Sequence, residues 1–125
     1  MALLLSETMT EVVAQRFRLL GEPMRLRILQ LLESGELPVN EIVDALKSSQ
    51  PNISKHLQAL CQGGLISRRR NGLNIYYAIA DPMVFKLCDL VCRSATEQTR
   101  TRLLQLDSAA AATPTVKKAR GSARP

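Results

Sequence analysis

Arg68, Arg69 and Arg70 stand consecutively, and a short polar set, Ser49, Gln50, Asn52, Ser54, Lys55 and His56, lies shortly before them. Consecutive guanidinium groups suit a polyanion, because phosphates contribute most of the affinity for a nucleic acid and require cations at the contacting edge. Gln and Asn amides can bond adenine at two atoms, Lys favours guanine acceptors, and serine hydroxyls can hold backbone phosphates. Three thiols offer a different chemistry. Cys88 and Cys92 are spaced i, i+4 and share a face of any helix, with Cys61 upstream. Such thiolates suit a thiophilic metalloid such as arsenite, or a soft metal ion, with Cys61 or a thiol from a second copy as third ligand. The same pair can act as an oxidation switch. Packing competes with both readings, since Cys is among the most buried residue types and the pair lies in an apolar stripe.

The chain that must position these groups has 125 residues, 46% apolar and 22% charged, which suits one packed core with residues to spare at an end. Its formal charge of +6 permits a polyanionic partner without identifying one. A single His, no Gly-rich phosphate loop and no nucleophile–base spacing leave almost nothing for catalysis, so an enzyme is not expected. No apolar run approaches the ~18 to 20 residues that span a bilayer, and the start of the chain lacks a basic segment followed by an apolar stretch. A cytoplasmic protein without a membrane partner is expected, and the odd number of cysteines fits reduced thiols there.

Met9, Val13, Phe17 and Leu20 recur at helical spacing until Gly21 and Pro23 interrupt them. Pro23 opens a second stripe through Leu26, Leu29 and Leu32, ending at Ser34-Gly35. A short third helix spans about residues 39–46, with Ile42, Val43 and Leu46 inward. After Lys47, Ser48 and Ser49 a fourth helix covers residues 50–62, capped by Ser49, with Pro51 tolerated in its first turn. Ile53, Leu57 and Leu60 fall on one face; Pro51, Asn52, Lys55, Ala59 and Gln62 fall on the other. Gly63-Gly64 ends this helix. The run through Arg70 reaches Asn71-Gly72, the dipeptide that suits a two-residue hairpin turn, and alternation through Ile79 completes a β-hairpin. Asp81-Pro82 starts a long helix to about Leu106, whose apolar stripe is too extensive for one small domain to bury. Residues 107–125 hold mainly Ala, Thr, Pro, Ser, Lys and Arg, and are expected to form a basic disordered tail in which Lys117, Lys118, Arg120 and Arg124 touch phosphates or simply solubilise the chain.

A short helix joined by a tight turn to one with a small polar outer face is a helix-turn-helix, and the Arg-bearing hairpin is its wing. The expected fold is mainly α with a small β-hairpin, a winged helix-turn-helix over residues 1–106. Gln50, Asn52, Lys55 and His56 are the candidate base readers. Ser49, Ser54, Arg68, Arg69 and Arg70 are candidate phosphate contacts, though capping alone suffices for Ser49. His56, near the edge of the apolar stripe, can equally pack or hold a phosphate. Because such folds also serve proteins that touch no nucleic acid, a protein–protein interaction module is the second reading. Steep loss of affinity with salt separates the two.

Over roughly residues 10–100 the chain resembles the ArsR/SmtB-type winged helix-turn-helix regulators. The likeness rests on Leu20, Pro23, Arg25, Ile28 and Leu29; on Ser49, Gln50, Ile53, Ser54, His56 and Leu57; and on Gly64, Leu65, Ile66, Arg69, Arg70, Gly72, Tyr76 and Tyr77. It implies a homodimer paired through the first and last helices, a repressor that binds a palindromic double-stranded DNA operator and releases it when an inducer binds. Family members commonly carry a cysteine pair where this chain has Glu36-Leu37-Pro38-Val39-Asn40. Others bind zinc through Asp, two His and Glu; here Asp81 and Glu97 match, while Met83 and Ser94 replace the imidazoles, too few ligands for tetrahedral zinc. Gln30 stands where persulfide-sensing relatives place a thiol. No cofactor is therefore required, and an inducer, if thiol-reactive, is left with Cys88, Cys92 and Cys61.

Overall fold

The computed structural model describes residues 6–112, and chain contacts divide it after Pro82. In the first unit, helix α1 (Glu7–Leu20) begins where the Ser6 hydroxyl accepts the Met9 amide at 3.0 Å. Helix α2 (Pro23–Leu32) begins with proline, whose missing N–H costs nothing in a first turn, and is capped by Glu22, whose carboxylate accepts the amides of Met24 and Arg25. A two-residue strand β1 (Leu37–Pro38) leads directly into α3 (Val39–Leu46). Lys47 ends α3 in the left-handed region at φ 53°, which turns the chain within three residues into α4 (Gln50–Gln62). This is the expected helix-turn-helix pair, with the Ser49 side chain accepting the Asn52 amide at 3.3 Å as the cap.

Gly64, at φ 77°, closes α4 with its N–H bonded to the Cys61 carbonyl while the Leu65 amide reaches back to Leu60, an arrangement that needs a residue free of a Cβ. The chain then enters β2 (Ile66–Asn71) and β3 (Asn74–Ile79). Strand order is β1-β3-β2, all antiparallel, with Leu37 opposite Tyr77 and Arg69 opposite Tyr76. Asn71 pairs with Asn74, so the turn's central residues are Gly72 and Leu73 rather than the expected Asn71-Gly72. Only Gly72 has positive φ there, 66°, so no non-glycine is forced into the left-handed region, as an Asn-Gly centre would require.

Leu19, Leu20, Ile28, Leu29, Leu32, Ile42, Ile53, Leu57, Leu60, Leu65 and Ile66 form the core of this unit. Burial of each such side chain contributes about 1.5 to 3 kcal/mol. The second unit holds α5 (Met83–Ala112), which continues beyond the expected end at Leu106. Residues 107–112, read from composition as disordered tail, are helical; Ala109 to Ala112 have the highest helix propensity of any residue type and extend the preceding turns. The basic residues Lys117, Lys118, Arg120 and Arg124 lie outside the described residues. No helix among the described residues is long and apolar enough to cross a membrane.

Candidate nucleic-acid interface

Pro51, Lys55, Gln58 and Gln62 recur at i, i+4, i+7 and i+11 along α4, and all are exposed, as is Gln50 at its start. Opposite them Ile53, Leu57 and Leu60 are wholly buried. The outward stripe therefore presents amide and ammonium groups on a helix anchored from behind. Gln58, one turn beyond Lys55, belongs to this stripe and escaped the sequence reading; its spacing from Pro51, Lys55 and Gln62 was the signal. Asn52 and Ser54 are half-buried, and the Asn52 Nδ2 donates to the Ser48 hydroxyl at 2.9 Å, which fixes the amide against the turn.

His56 lies on the inner side. It is 6% exposed, with Nδ1 at 3.4 Å from Arg25 Nη1 and Nε2 at 4.0 Å from Glu22 Oε1. Since the guanidinium can only donate, Nδ1 must accept and the ring's proton sits on Nε2, toward Glu22. Burial holds the His56 pKa below its usual value; Glu22 opposes that shift, while Lys55 and Arg25 reinforce it. Of the roles left open for His56, its position on the buried side of α4 suits packing. Burial acts to raise the Glu22 carboxyl, but the Arg25 and Met24 amides outweigh it and hold the group below its usual range. Arg25 also donates from Nε to the Leu19 carbonyl at 2.7 Å and from Nη2 to the Arg18 carbonyl at 3.1 Å. From the start of α2, one side chain thus bonds the end of α1 and the back of α4. Sequence alone assigns Arg25 no role, because its side-chain partners lie on two other helices, α1 and α4.

The three arginines do not act alike. Successive residues of a strand point to opposite faces, so Arg68 and Arg70 share the face of their partners Tyr77 and Ile75, and Arg69 shares that of Tyr76. Arg69 donates two bonds of 2.7 Å to the Glu36 carboxylate and lies over the Tyr76 ring, 4.9 Å from its centre. Those hydrogen bonds hold the Glu36 carboxyl below its usual range. Arg70 is exposed and makes no ion pair among the described residues.

Between α4 and the hairpin runs an open groove of about 410 Å³, lined by Ser54, Gln58, Cys61, Gln62, Arg68 and Tyr77. Burial pushes the Cys61 thiol up against a smaller opposing effect of Arg68. On α5, burial and the adjacent Cys92 raise the Cys88 thiol, so both favour the neutral thiol at pH 7. Among the described residues no three His, Cys, Asp or Glu side chains gather closely enough to hold a metal ion.

The chain is 38% identical to a probable mercury resistance operon repressor of Streptomyces lividans, over 83% of this chain and 75% of that one. An uncharacterized HTH-type transcriptional regulator of Methanocaldococcus jannaschii is 42% identical over 65% of this chain and 92% of its own. Among solved structures, the homodimeric winged helix-turn-helix DNA-binding domain of a possible ArsR-family regulator from Mycobacterium bovis matches with a TM-score of 0.66. It is 37% identical, covering 78% of this chain and 92% of that one. The family described as bacterial regulatory protein, arsR family, matches residues 22–68, from the Glu22 cap through α4 to the first wing arginine. Taken with the five helices and three-stranded antiparallel wing sheet of the described residues, these matches establish that the chain belongs to the arsR family of bacterial regulatory proteins.

Proposed function

We propose that the protein is a homodimeric transcriptional repressor that binds a palindromic operator through α4 and the wing. The observation that carries this reading is the exposed stripe of Gln50, Lys55 and Gln58 on a helix whose other face is wholly buried, beside a cationic hairpin. Gln50 and Lys55, with Gln58 beside them, read base edges in a major groove ~12 Å wide, and Asn52 reads through the part of its amide not bonded to Ser48. Ser49, Ser54, Arg68 and Arg70 hold phosphates, and Arg69 supports the same edge. Every relative reported above is a transcriptional regulator, which favours DNA over a protein partner. Dimerisation covers surfaces that one chain leaves open: Met9, Val12 and Phe17 on α1, and Leu90, Val91, Leu103, Leu104 and Leu106 on α5. A two-fold axis then sets the two α4 helices into half-sites about one turn, ~34 Å, apart.

Selection of bound sequences from random duplexes tests this reading. Gln50→Ala relaxes preference at particular base pairs by about 1–3 kcal/mol each, whereas Arg70→Ala weakens all sequences alike. Identical specificity profiles for the two variants refute the assigned roles. A second reading, release by a thiophilic metalloid or metal or by thiol oxidation, rests on Cys88 and Cys92 sharing one helical face with Cys92 exposed, a third metal ligand being Cys61 or a thiol of the second copy. It expects arsenite or peroxide to weaken operator binding and Cys88→Ser/Cys92→Ser to abolish the response; an unchanged response in the double variant removes it.

A further inference from the structure

Three consecutive arginines on a wing invite one role for all, yet register and hydrogen bonding separate the middle one from its neighbours. Pro38, Tyr76 and Arg69 are laterally paired across β1, β3 and β2, so they share one face of the sheet. Glu36 lies two residues before Pro38, and its carboxylate meets the Arg69 guanidinium in a two-bonded fork while the Tyr76 ring supports the cation from β3. The latch thus crosses the whole sheet, tying the outer strand of the wing to the segment that leads into α3. Arg68 and Arg70 point to the opposite face, which they share with Tyr77, a wall of the groove beside α4.

We propose that Arg69 is a positioning residue: with Glu36 and Tyr76 it fixes the angle of the wing against the helix-turn-helix, and Arg68 and Arg70 make the wing's phosphate contacts. This rests on the DNA-binding reading above. β2 buries only Ile66, so hydrophobic contact leaves the outer strand's orientation open. A planar fork on a carboxylate supplies the direction that apolar packing lacks, which a lone ammonium cannot do. Glu36 then has an unexpected sign. Removing an acid near a DNA-binding surface ordinarily tightens binding by relieving repulsion, but here it releases the wing and weakens binding.

The full chain is titrated on a duplex selected from the random pool, over a series of salt concentrations, beside amide hydrogen exchange of residues 66–79 without DNA. Glu36→Gln is expected to lose about two- to fivefold in affinity, the range of a well-formed surface pair, with an unchanged salt slope and faster exchange in the hairpin. Arg70→Ala is expected to lower the slope of log K against log salt by about 1 with exchange unchanged. The exchanged pair Glu36→Arg/Arg69→Glu is expected to recover much of the exchange protection and affinity that Arg69→Glu alone loses. The proposal is overturned if Glu36→Gln binds as tightly as the parent chain or tighter, or if Arg69→Lys, which keeps the charge and loses the fork, leaves affinity and exchange untouched. If the parent chain ignores every duplex, the DNA reading fails, and hairpin exchange alone still decides whether the latch orders the wing.

Discussion

Behind α4 stand Ile53, Leu57 and Leu60 at 0% exposure, the Arg25–His56–Glu22 cluster, and a cap at each end. Along β2 only Ile66 is buried, and the remaining side chains are held by strand pairing and by the fork between Arg69 and Glu36. The helix is positioned by apolar burial and a part-buried polar network, both weakly screened; the wing is positioned by a pair whose members remain 54% and 34% exposed and are therefore open to salt. Two elements of one surface thus have different stiffness. The stiff element carries the amides that demand placement within hydrogen-bond range, and the softer one carries charges that act over longer distances.

The largest expected effect tests the stiff side. Leu57→Ala removes a fully buried side chain between α4 and the rest of the core and is expected to cost about 2–5 kcal/mol in urea unfolding. Ile75→Ala, half-buried on β3, is expected to cost about 1 kcal/mol or less, because less surface returns to water. Equal costs for the two would abolish the distinction between helix and wing.

Acidification probes the polar half of the same anchorage. His56 has a folded pKa below the 6.5 of an unperturbed imidazole, so the unfolded chain takes up a proton first as pH falls. The stability this contributes is complete above about pH 6.5 and is lost as pH drops from there toward the folded value. Glu22 and Glu36, held below their ordinary value of 4.5, act in a separate window at lower pH and in the same direction. As His56 is the chain's one histidine, the melting temperature is expected to decline between pH 7 and pH 5, and His56→Gln to flatten that decline. A slope that persists in His56→Gln would assign the titration elsewhere.

Local signals sufficed for much of this molecule. Helical spacing and Pro, Ser and Gly punctuation mark α2, α3 and α4, because caps and breakers act within a few residues. Strand alternation likewise separates Arg69 from Arg68 and Arg70, yet only the register of β3 and the approach of Glu36 determine which side meets α4. His56 sits at an ambiguous angle on its helix, and its burial depends on Glu22 and Arg25, more than thirty residues away in sequence. β1 escaped notice because two residues containing a proline become a strand only through the neighbour they pair with. The extension of α5 past Leu106 was hidden by a composition that resembles a tail, although its alanines favour helix strongly.

The smallest effect concerns two sharp turns that make the same backbone demand and meet it differently. The wing turns on Gly72 at φ 66°, where no Cβ opposes the left-handed conformation; the helix-turn-helix turns on Lys47 at φ 53°, where one does. Lys47 is exposed, and its amide closes α3 on the Val43 carbonyl at 2.9 Å, a bond that glycine makes equally well. Lys47→Gly should therefore relieve strain in the folded state, less the extra entropy glycine gives the unfolded chain, for a net gain of up to about 1 kcal/mol in urea unfolding. Gly72→Ala introduces the strain that Lys47 already bears and should lose a comparable amount. If Lys47→Gly instead destabilises the protein while Gly72→Ala behaves as expected, the lysine stem must pack usefully over the turn, and the tight end of the recognition unit is held by its side chain as well as by its backbone.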